Sequence, residues 1–306
     1  MVRMLFSRLA ALVPVVFGVS VVVFLMLHLS PGDPAVLAAG MEASEADIQN
    51  VRQSLGLDRS LPVQYVEFVQ RAVTGDFGSS FRTHRPVMQE IAPRYVATLQ
   101  LTLAAMAFAV VIGIGLGIVT ATFEMKWLDS LSEFLAILGL SVPGFFLGLI
   151  MMLLFSVYLG WLPLSGNDSW SSVILPAITL GVSNAAIVSR VTQASLTEVL
   201  RMDYVRTAKA KGVRRSVIVW RHALRNALMP VVTVVGLQSG YLLGGAVVVE
   251  TVFAWPGIGR LIVQSIAGRD FPVIQASVLL VSLTFVAINL LTDLLYGVID
   301  PRVVQK

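Results

Sequence analysis

Residues 195–225 read SLTEVLRMDYVRTAKAKGVRRSVIVWRHALR, and they lie between two very hydrophobic stretches of the chain. The segment contains eight Lys or Arg residues but only two acids, Glu198 and Asp203. A charged segment of this length inside a hydrophobic chain lies in water on one side of a membrane, and an excess of Lys and Arg is typical of the cytoplasmic side. Its internal pattern is that of a docking element rather than of a slack connector.

The composition of the whole chain is that of an integral membrane protein. Of the 306 residues, 56% are hydrophobic and 13% are charged, whereas a soluble domain carries roughly 25% charged residues. Cysteine is absent, which excludes disulfides and thiolate metal sites. The net charge of +4 gives little support to a nucleic-acid partner, because most of the charge belongs to membrane topology.

Six apolar stretches are long enough to cross a membrane, and their continuous apolarity favours helices over a closed barrel. They cover residues 9–29, 97–122, 133–159, 174–193, 229–250 and 273–298. The first follows Arg3 and Arg8 and is too long for a cleaved signal peptide, so we interpret it as a retained helix. The sequence therefore predicts an all-α polytopic protein in which residues 1–306 form one transmembrane domain.

The distribution of Lys and Arg predicts the orientation of the spans. If the 195–225 segment is cytoplasmic, an even number of spans places both termini in the cytoplasm. The loop at 159–173 then lies outside, and it contains no Lys or Arg. The external stretch 251–272 has only Arg260 and Arg269, and the internal tail has Arg302 and Lys306. We expect a multi-pass membrane protein with both termini in the cytoplasm.

The loop after the first span, residues 30–94, is long enough to form an ordered extracytoplasmic subdomain. It opens with the turn cluster SPGDP. Ser44 and Asp47 form a capping-box pattern at the start of a short helix, and Gly56 is placed to end it. Residues 61–73 predict a second short helix, and GDFGSS at 75–80 predicts a loop.

Within the basic segment, residues 194–229, the pattern predicts two helices. The first covers 194–211, with an ion pair between Asp203 and Arg206, and Gly212 ends it as a left-handed cap. The second covers 214–229, and Pro230 marks the start of the next span. We expect one stripe of this second helix to be apolar and another basic: Val217, Trp220, Leu224, Ala227 and Leu228 against Arg214, Arg221 and Arg225.

Two interpretations of this segment are open from its residues. It could be an interfacial helix held on anionic lipid by its arginines, with Trp220 as an anchor. It could instead be a rigid helix-turn-helix that inserts into a soluble partner. Small residues at positions 207, 208, 210 and 212 allow close approach and favour the second interpretation.

The residues provide little for catalysis within this chain. A P-loop needs Gly-Lys before Ser or Thr, and none of the four lysines, at 126, 209, 211 and 306, follows a glycine. The three histidines, at 28, 84 and 222, have no partner at metal-ligand spacing. We expect no enzymatic activity, no metal and no cofactor in this chain.

Charged residues and glycines inside the spans suggest further hypotheses. Asp293 is the one acid well inside a span core, and it serves either as a relay or in helix packing. Gly236, Gly240 and Gly244 recur every four residues, and the same spacing occurs at 113–117 and 144–148. Such rows allow close helix packing, or they form a subunit interface or a pore wall.

Several motifs together resemble one family. DYVRTAKAKGVRRSVIVWRHALRNALMPVVT is similar to the cytoplasmic coupling loop of ABC-importer permeases of the dipeptide/oligopeptide (peptide/nickel) group. Four further segments are similar to the same group: LSPGDPA, GDFGSSFRTHRPVMQEI, SVPGFFLGLIMMLLFSVYLGWLPLSG and ETVFAWPGIGRLIVQSIAGRDFPVIQ. The long loop after the first span is typical of the B-type subunit. The broader importer pattern, Glu-Ala-Ala-x₃-Gly, is matched only at Ala208 and Gly212, which leaves the substrate class open.

The resemblance implies a protein of the bacterial cell membrane with a type I importer architecture, which has six transmembrane helices and a coupling helix between helices 4 and 5. It implies a heterodimer with a second permease, two cytoplasmic ATPase subunits that bind ATP and Mg, and an extracytoplasmic solute-binding protein that delivers short peptides. The alternatives are nickel chelates, glutathione or similar small solutes, or an ion-coupled secondary carrier.

The resemblance also suggests roles for three sets of residues. Those expected to couple to the ATPase are Asp203, Arg206, Thr207, Ala208, Lys209, Lys211, Gly212 and Arg215. Those expected to contact the binding protein are Asp33, Asp76 and Phe77, although turn formation alone explains both aspartates. Those expected to line the pathway or a helix interface are Gly236, Gln238, Gly240, Tyr241 and Gly244.

Overall fold

The computed structural model describes residues 2–29, 32–40, 43–123 and 141–299, and in these ranges the chain is helical without β-strands. The start of the predicted third span, at 133–140, and the C-terminal tail lie outside the described residues. The helices are α1 Val2–Leu29, α2 Pro34–Ala39, α3 Glu45–Ser54, α4 Leu61–Thr74, α5 Val87–Thr122, α6 Gly144–Tyr158, α7 Ile174–Leu200, α8 Asp203–Ala210, α9 Arg215–Val252, α10 Ile258–Ala267 and α11 Phe271–Ile299.

Five helices of the described part of the chain are long and apolar enough to cross a membrane: α1, α5, α7, α9 and α11. The shorter apolar α6 occupies the described part of the predicted third span, and its second half, Met152–Tyr158, is a π-helix. Two helices begin well before their apolar stretches, α5 by ten residues and α9 by fourteen. Hydropathy marks only the part of a helix that prefers lipid. The helix itself can begin earlier, because its backbone hydrogen bonds also form in polar sequence.

The chain divides into two compact units, Met1–Thr98 with Pro256–Ala287, and Leu99–Trp255 with Ile288–Lys306. In the first unit, the predicted capping box is confirmed, since Ser44 and Asp47 bond to each other's backbone at the start of α3. Gly56 has a φ of +67°, which fits its predicted role as a stop. The core of this unit joins α5, α10 and α11 through buried apolar side chains: Val87, Ile91, Ile258, Leu261, Val273 and Ala276.

In the second unit, glycines bring helices α5 and α7 into close contact. A Cβ at Gly113 would lie 2.7 Å from the Cβ of Val188, and one at Gly117 would lie 2.5 Å from the Cβ of Thr192. The 113–117 spacing therefore serves helix packing, as the packing interpretation predicts. Gly181 of α7 makes a similar approach to the backbone of α5, which the sequence pattern did not indicate.

The glycine row of α9 does not form one uniform face. Gly236 lies against Thr292 of α11, and Gly240 is buried. Gly244 is exposed, and a Cβ added there would have no heavy atom within 4 Å. A four-residue step advances about 40° beyond a full turn of the helix, so such a row drifts around the surface. Only its first part packs against a helix of the same unit.

Candidate functional site

The candidate site is the short helix α8 with the turns on either side of it. Helix α7 ends at Leu200, and the next two residues are not helical. The prediction of one uninterrupted helix over 194–211 is therefore wrong at this point. Met202 is extended, with a ψ of 152°, and it serves as the N-cap of α8, while the N–H of Met202 bonds to the carbonyl of Val199. This bond closes the end of α7 and leaves α8 as a separate element.

Helix α8 is attached to the protein by one apolar and one aromatic side chain. Val205 is fully buried. The hydroxyl of Tyr204 donates to the carbonyl of His222 at 3.3 Å and accepts from Nδ2 of Asn226 at 2.9 Å. Sequence reasoning missed both anchors. A usable signal was present, because Val205 is the only β-branched apolar residue between positions 203 and 210.

Helix α8 packs against residues 218–223 at the start of α9, and two of these, Val219 and Ala223, belong to an apolar cluster. It joins the ends of α5 and α7 to the start of α9, and its members are Ile118, Leu196, Val199, Val219, Ala223, Leu224 and Ala227. Because protein interiors are densely packed and resist compression, such a cluster moves as a body. A displacement of α8 would therefore be passed to three helices of the same unit.

The start of α9 corrects the predicted second helix. Residues 215–252 form one continuous helix, so Pro230 lies inside it rather than at its start. Ile218–Ala223 is a π-helical turn, which fits more residues into a turn and rotates the face that follows. As a result Ile218 and Val219 are buried. Two residues of the predicted apolar stripe, Val217 and Trp220, are exposed instead.

The predicted coupling residues of α8 lie on its outer surface. The carboxylate of Asp203 and the guanidinium of Arg206 are 3.7 Å apart, which confirms the predicted pair, but their side chains are 98% and 77% exposed. Such a pair contributes about 0–1 kcal/mol. Thr207 donates its hydroxyl to the Asp203 carbonyl at 2.9 Å, and Lys209 is exposed. These groups are not needed to hold the fold.

The turn after α8 has the predicted left-handed cap. Lys211 is the C-cap residue of α8, and Gly212 follows with a φ of +75°. No heavy atom lies within 4 Å of the place where a Cβ would sit on Gly212, whereas Ala208 is half-buried. Gly212 is therefore required by its backbone conformation and not by crowding.

A basic groove of about 910 Å³ lies beside α8. Arg201, Lys209 and Arg215 contribute positive charge to its lining. The guanidinium of Arg215 donates to the carbonyl of Thr122 at the end of α5, where a cation stabilises the free carbonyls of a helix. Of the predicted coupling residues, Arg215 is therefore the one that also ties two helices together.

The predicted pathway residues on α9 differ in their surroundings. Gln238 donates its amide to Oδ1 of Asn184 on α7 at 2.7 Å, and Asn184 is buried. Tyr241, one turn further along α9, is 71% exposed. Gln238 thus holds two helices of one unit together, and Tyr241 presents a free surface. The side chain of Asp293 lies outside the described residues.

In the loop after α1, the candidate contact residues have roles in local structure. Asp33 accepts the N–H of Ala35 at 2.9 Å as the N-cap of α2, and it pairs with Arg52. Asp76 accepts the N–H of Gly78 at 2.9 Å and the guanidinium of Arg71 at 3.2 Å. The Gly78 N–H, and then Arg71, hold the pKa of Asp76 below its ordinary value.

Phe77 is half-buried and packs on the apolar core of its unit. Phe77 and Asp76 both line a cavity of about 140 Å³, together with Arg71 and Gln275.

Comparison with known proteins places the chain in a family. The family model described as "Binding-protein-dependent transport system inner membrane component" matches residues 113–305, and its N-terminal companion matches residues 1–102. The chain is 53% identical over 306 residues to the glutathione transport system permease protein GsiC of Pectobacterium atrosepticum, and 51% identical to GsiC of Escherichia coli K12. In both cases the match covers all of this chain and all of the relative.

Solved structures show the same fold over part of the chain. An inward-facing structure of the MetNI methionine ABC transporter matches with a TM-score of 0.58 at 20% identity, covering 70% of this chain and 97% of that one. An amino acid ABC transporter matches with a TM-score of 0.51 at 14% identity, covering 70% and 94%. With family models over both halves and relatives that share half of its residues along their whole length, the chain belongs to the inner-membrane components of binding-protein-dependent transport systems, the permeases of ABC importers.

Proposed function

We propose that this permease forms, with a second permease subunit, the pathway for glutathione and similar short peptides, which a solute-binding protein delivers. The support for this substrate is the 53% and 51% identity to glutathione permeases over their full length. Glutathione is a tripeptide, so it falls within the short-peptide class that the sequence motifs indicate. It is also one of the alternative solutes that the sequence analysis gives. We therefore take glutathione as the first substrate to test.

The observation that supports the mechanism is the way in which α8 is attached to the rest of the protein. The polar face of α8 is exposed, and its buried residue is Val205. Helix α8 packs against residues 218–223, which contribute to the apolar cluster that joins α5, α7 and α9. In our proposal α8 fits a groove on a cytoplasmic ATPase subunit, and two such ATPases bind ATP and Mg. Closure of the ATPase pair pushes α8 as a rigid lever, and the cluster passes the displacement to the spanning helices. ATP drives the change because it favours one of the two states.

The proposed orientation has α8 and both termini in the cytoplasm. Its support is the excess of eight Lys or Arg residues over two acids in the 195–225 segment. In this orientation the loop after α1 faces the binding protein. The candidates for that contact are still Asp33, Asp76 and Phe77. Their roles in local structure, described above, explain these residues without such a contact and so count against it. Tyr241 stays a candidate for the pathway or for the interface with the second permease.

The experiment is purification of the complex from native membranes in mild detergent, followed by reconstitution with its binding protein into liposomes. We expect a second permease and ATPase subunits in fixed ratio, and uptake of radiolabelled glutathione that requires ATP on the ATPase side. Unlabelled dipeptides and a nickel–histidine chelate serve as competitors. ATP-dependent uptake that the nickel chelate blocks and glutathione does not would contradict the proposed substrate. Uptake that needs an ion gradient but no ATP would contradict the importer mechanism and direct attention to Asp293.

A further inference from the structure

We infer that α4 is an interfacial helix whose exposed apolar ridge lies in the membrane leaflet at the Leu29 end of α1. The ridge consists of Pro62, Val66, Val69 and Val73, and the ligand it fits is the acyl-chain region of a lipid bilayer. The inference concerns the placement of the loop after α1. It does not depend on which solute the protein carries.

The contacts between α4 and α1 show that the two helices cross. The hydroxyl of Tyr65 lies 2.8 Å from Oγ of Ser20, and Oε1 of Gln64 lies 2.9 Å from Nε2 of His28. Two adjacent residues of α4 thus reach points eight residues, or about 12 Å, apart along α1. Helix α4 therefore runs across α1, with Phe24 at the crossing, where its ring lies 5.4 Å from the ring of Tyr65.

The same contacts fix the depth of α4 in the membrane. The apolar part of α1 that can cross a bilayer is Leu12–Leu29. Ser20 lies nine residues, or about 14 Å, from the Leu29 end, and this is near the middle of a hydrocarbon core about 30 Å thick. The side of α4 that carries Tyr65 therefore points toward the bilayer centre. The side that carries Gln64 points toward the end of the span.

The ridge lies on the side of α4 that carries Tyr65. At 100° per residue, the four ridge residues lie about 40–100° from Tyr65 in the direction away from Gln64, whereas Glu67, Gln70, Arg71 and Thr74 lie about 120–180° from Tyr65. Val66 is 52% exposed and Val73 is 82% exposed. The polar side chains are Gln64, Glu67, Gln70, Arg71 and Thr74.

The lipid-facing surface of α1 continues onto α4 at their contact. The ring of Phe17 meets the ring of Tyr65 edge-on at 6.1 Å, and Phe17 is itself 59% exposed. On the opposite side of α4, Glu67 pairs with Arg59 and Arg71 pairs with Asp76, so the charges are held away from the ridge. An apolar ridge joined to a spanning helix, with a charged face opposite, is the arrangement of a helix lying in a membrane surface.

The test uses the natural absence of cysteine in this chain. Single variants Val66→Cys and Val73→Cys place a spin label on the ridge, and Gln70→Cys and Thr74→Cys place the same label on the polar side of the same helix. All four positions are exposed, so the labels do not disturb the core. The full complex is placed in nanodiscs of phosphatidylethanolamine and phosphatidylglycerol. Power saturation then compares collisions with oxygen, which concentrates in lipid, and with a water-soluble nickel chelate.

We expect labels at 66 and 73 to collide more with oxygen and less with the nickel chelate than labels at 70 and 74. Equal access of the nickel chelate to all four positions would place the ridge in water and overturn the inference. Shielding of positions 66 and 73 from both reagents would also overturn it, since a protein partner would then cover the ridge. Neither result depends on transport, so failure here is separable from failure of the proposed function.

Discussion

The loop after α1 and the α8 segment use their charged side chains in different ways. In the loop, Asp33 caps a helix and pairs with Arg52, and Asp76 closes a turn. In the α8 segment, Val205 and Tyr204 make the structural attachment, while Lys209 and the Asp203–Arg206 pair are exposed. A charge that is paired within the chain stabilises the loop, whereas a polar face that the fold does not require can contact a partner. This contrast is the basis for assigning the coupling role to α8.

The largest effect should follow from removing the attachment of α8. Val205→Asp puts a carboxylate into a fully buried apolar position, at a cost of several kcal/mol. We expect a clearly lower melting temperature of the purified complex and loss of uptake. Ala210→Asp adds the same charge at an exposed position of the same helix, and it should leave the melting temperature unchanged. Equal melting temperatures for the two variants would show that Val205 does not anchor α8.

A smaller effect should show whether Asp33 acts only in the fold of the loop or also contacts the solute-binding protein. Asp33→Asn and Arg52→Gln both break the same half-exposed ion pair, and each should cost the loop about 1 kcal/mol or less. Because asparagine retains the N-cap, we expect the two variants to behave alike. If the structural roles of Asp33 are its only ones, affinity for the solute-binding protein, measured by titration in nanodiscs, matches the wild type in both variants. A loss of affinity confined to Asp33→Asn would instead make this carboxylate a direct contact.

The smallest effect should come from Asp76 and should depend on pH. Hydrogen bonds from Gly78 and Arg71 lower its folded pKa below the ordinary value of 3.8. The stabilisation is therefore fully present above pH about 4 and is lost as the pH falls through the folded pKa. Hydrogen exchange at the Gly78 amide should be slower in the wild type than in Asp76→Asn at pH about 6, and this difference should shrink in acid. A difference that persists unchanged in acid would contradict the role of the charge.

Much of the fold could be predicted from local sequence. The apolar stretches mark the spans, the Ser44 capping box forms as its pattern predicts, and Gly212 caps α8 with the predicted backbone conformation. Each of these depends on residues that are close together in the chain. Local physical preferences are sufficient for them.

The rest depends on contacts between distant residues. The break at Met202, the π-helical turn at Ile218–Ala223 and the burial of Val205 are set by how α8 packs on α7 and α9, and by how α9 packs on α5 and α7. The π-helical turn is also the reason that Val217 and Trp220 of the predicted stripe are exposed, while Leu224 and Ala227 of the same stripe are buried as predicted. A period of 3.6 residues read through that turn assigns the wrong face to the residues before Leu224, because the turn holds more residues.

The central claim, that α8 transmits force from an ATPase, is tested most directly by two matched glycines. Gly212 and Gly160 each follow a helix, with φ of +75° and +63°, and neither has a heavy atom within 4 Å of a Cβ position. Tryptophan therefore imposes a similar backbone strain of about 1–2 kcal/mol at both. The measurement is glutathione uptake per ATP hydrolysed by reconstituted complexes. We expect Gly212→Trp, like Ala208→Trp, to hydrolyse ATP without uptake, while Gly160→Trp transports normally. Equal uptake per ATP by Gly212→Trp and Gly160→Trp would contradict the coupling role of α8.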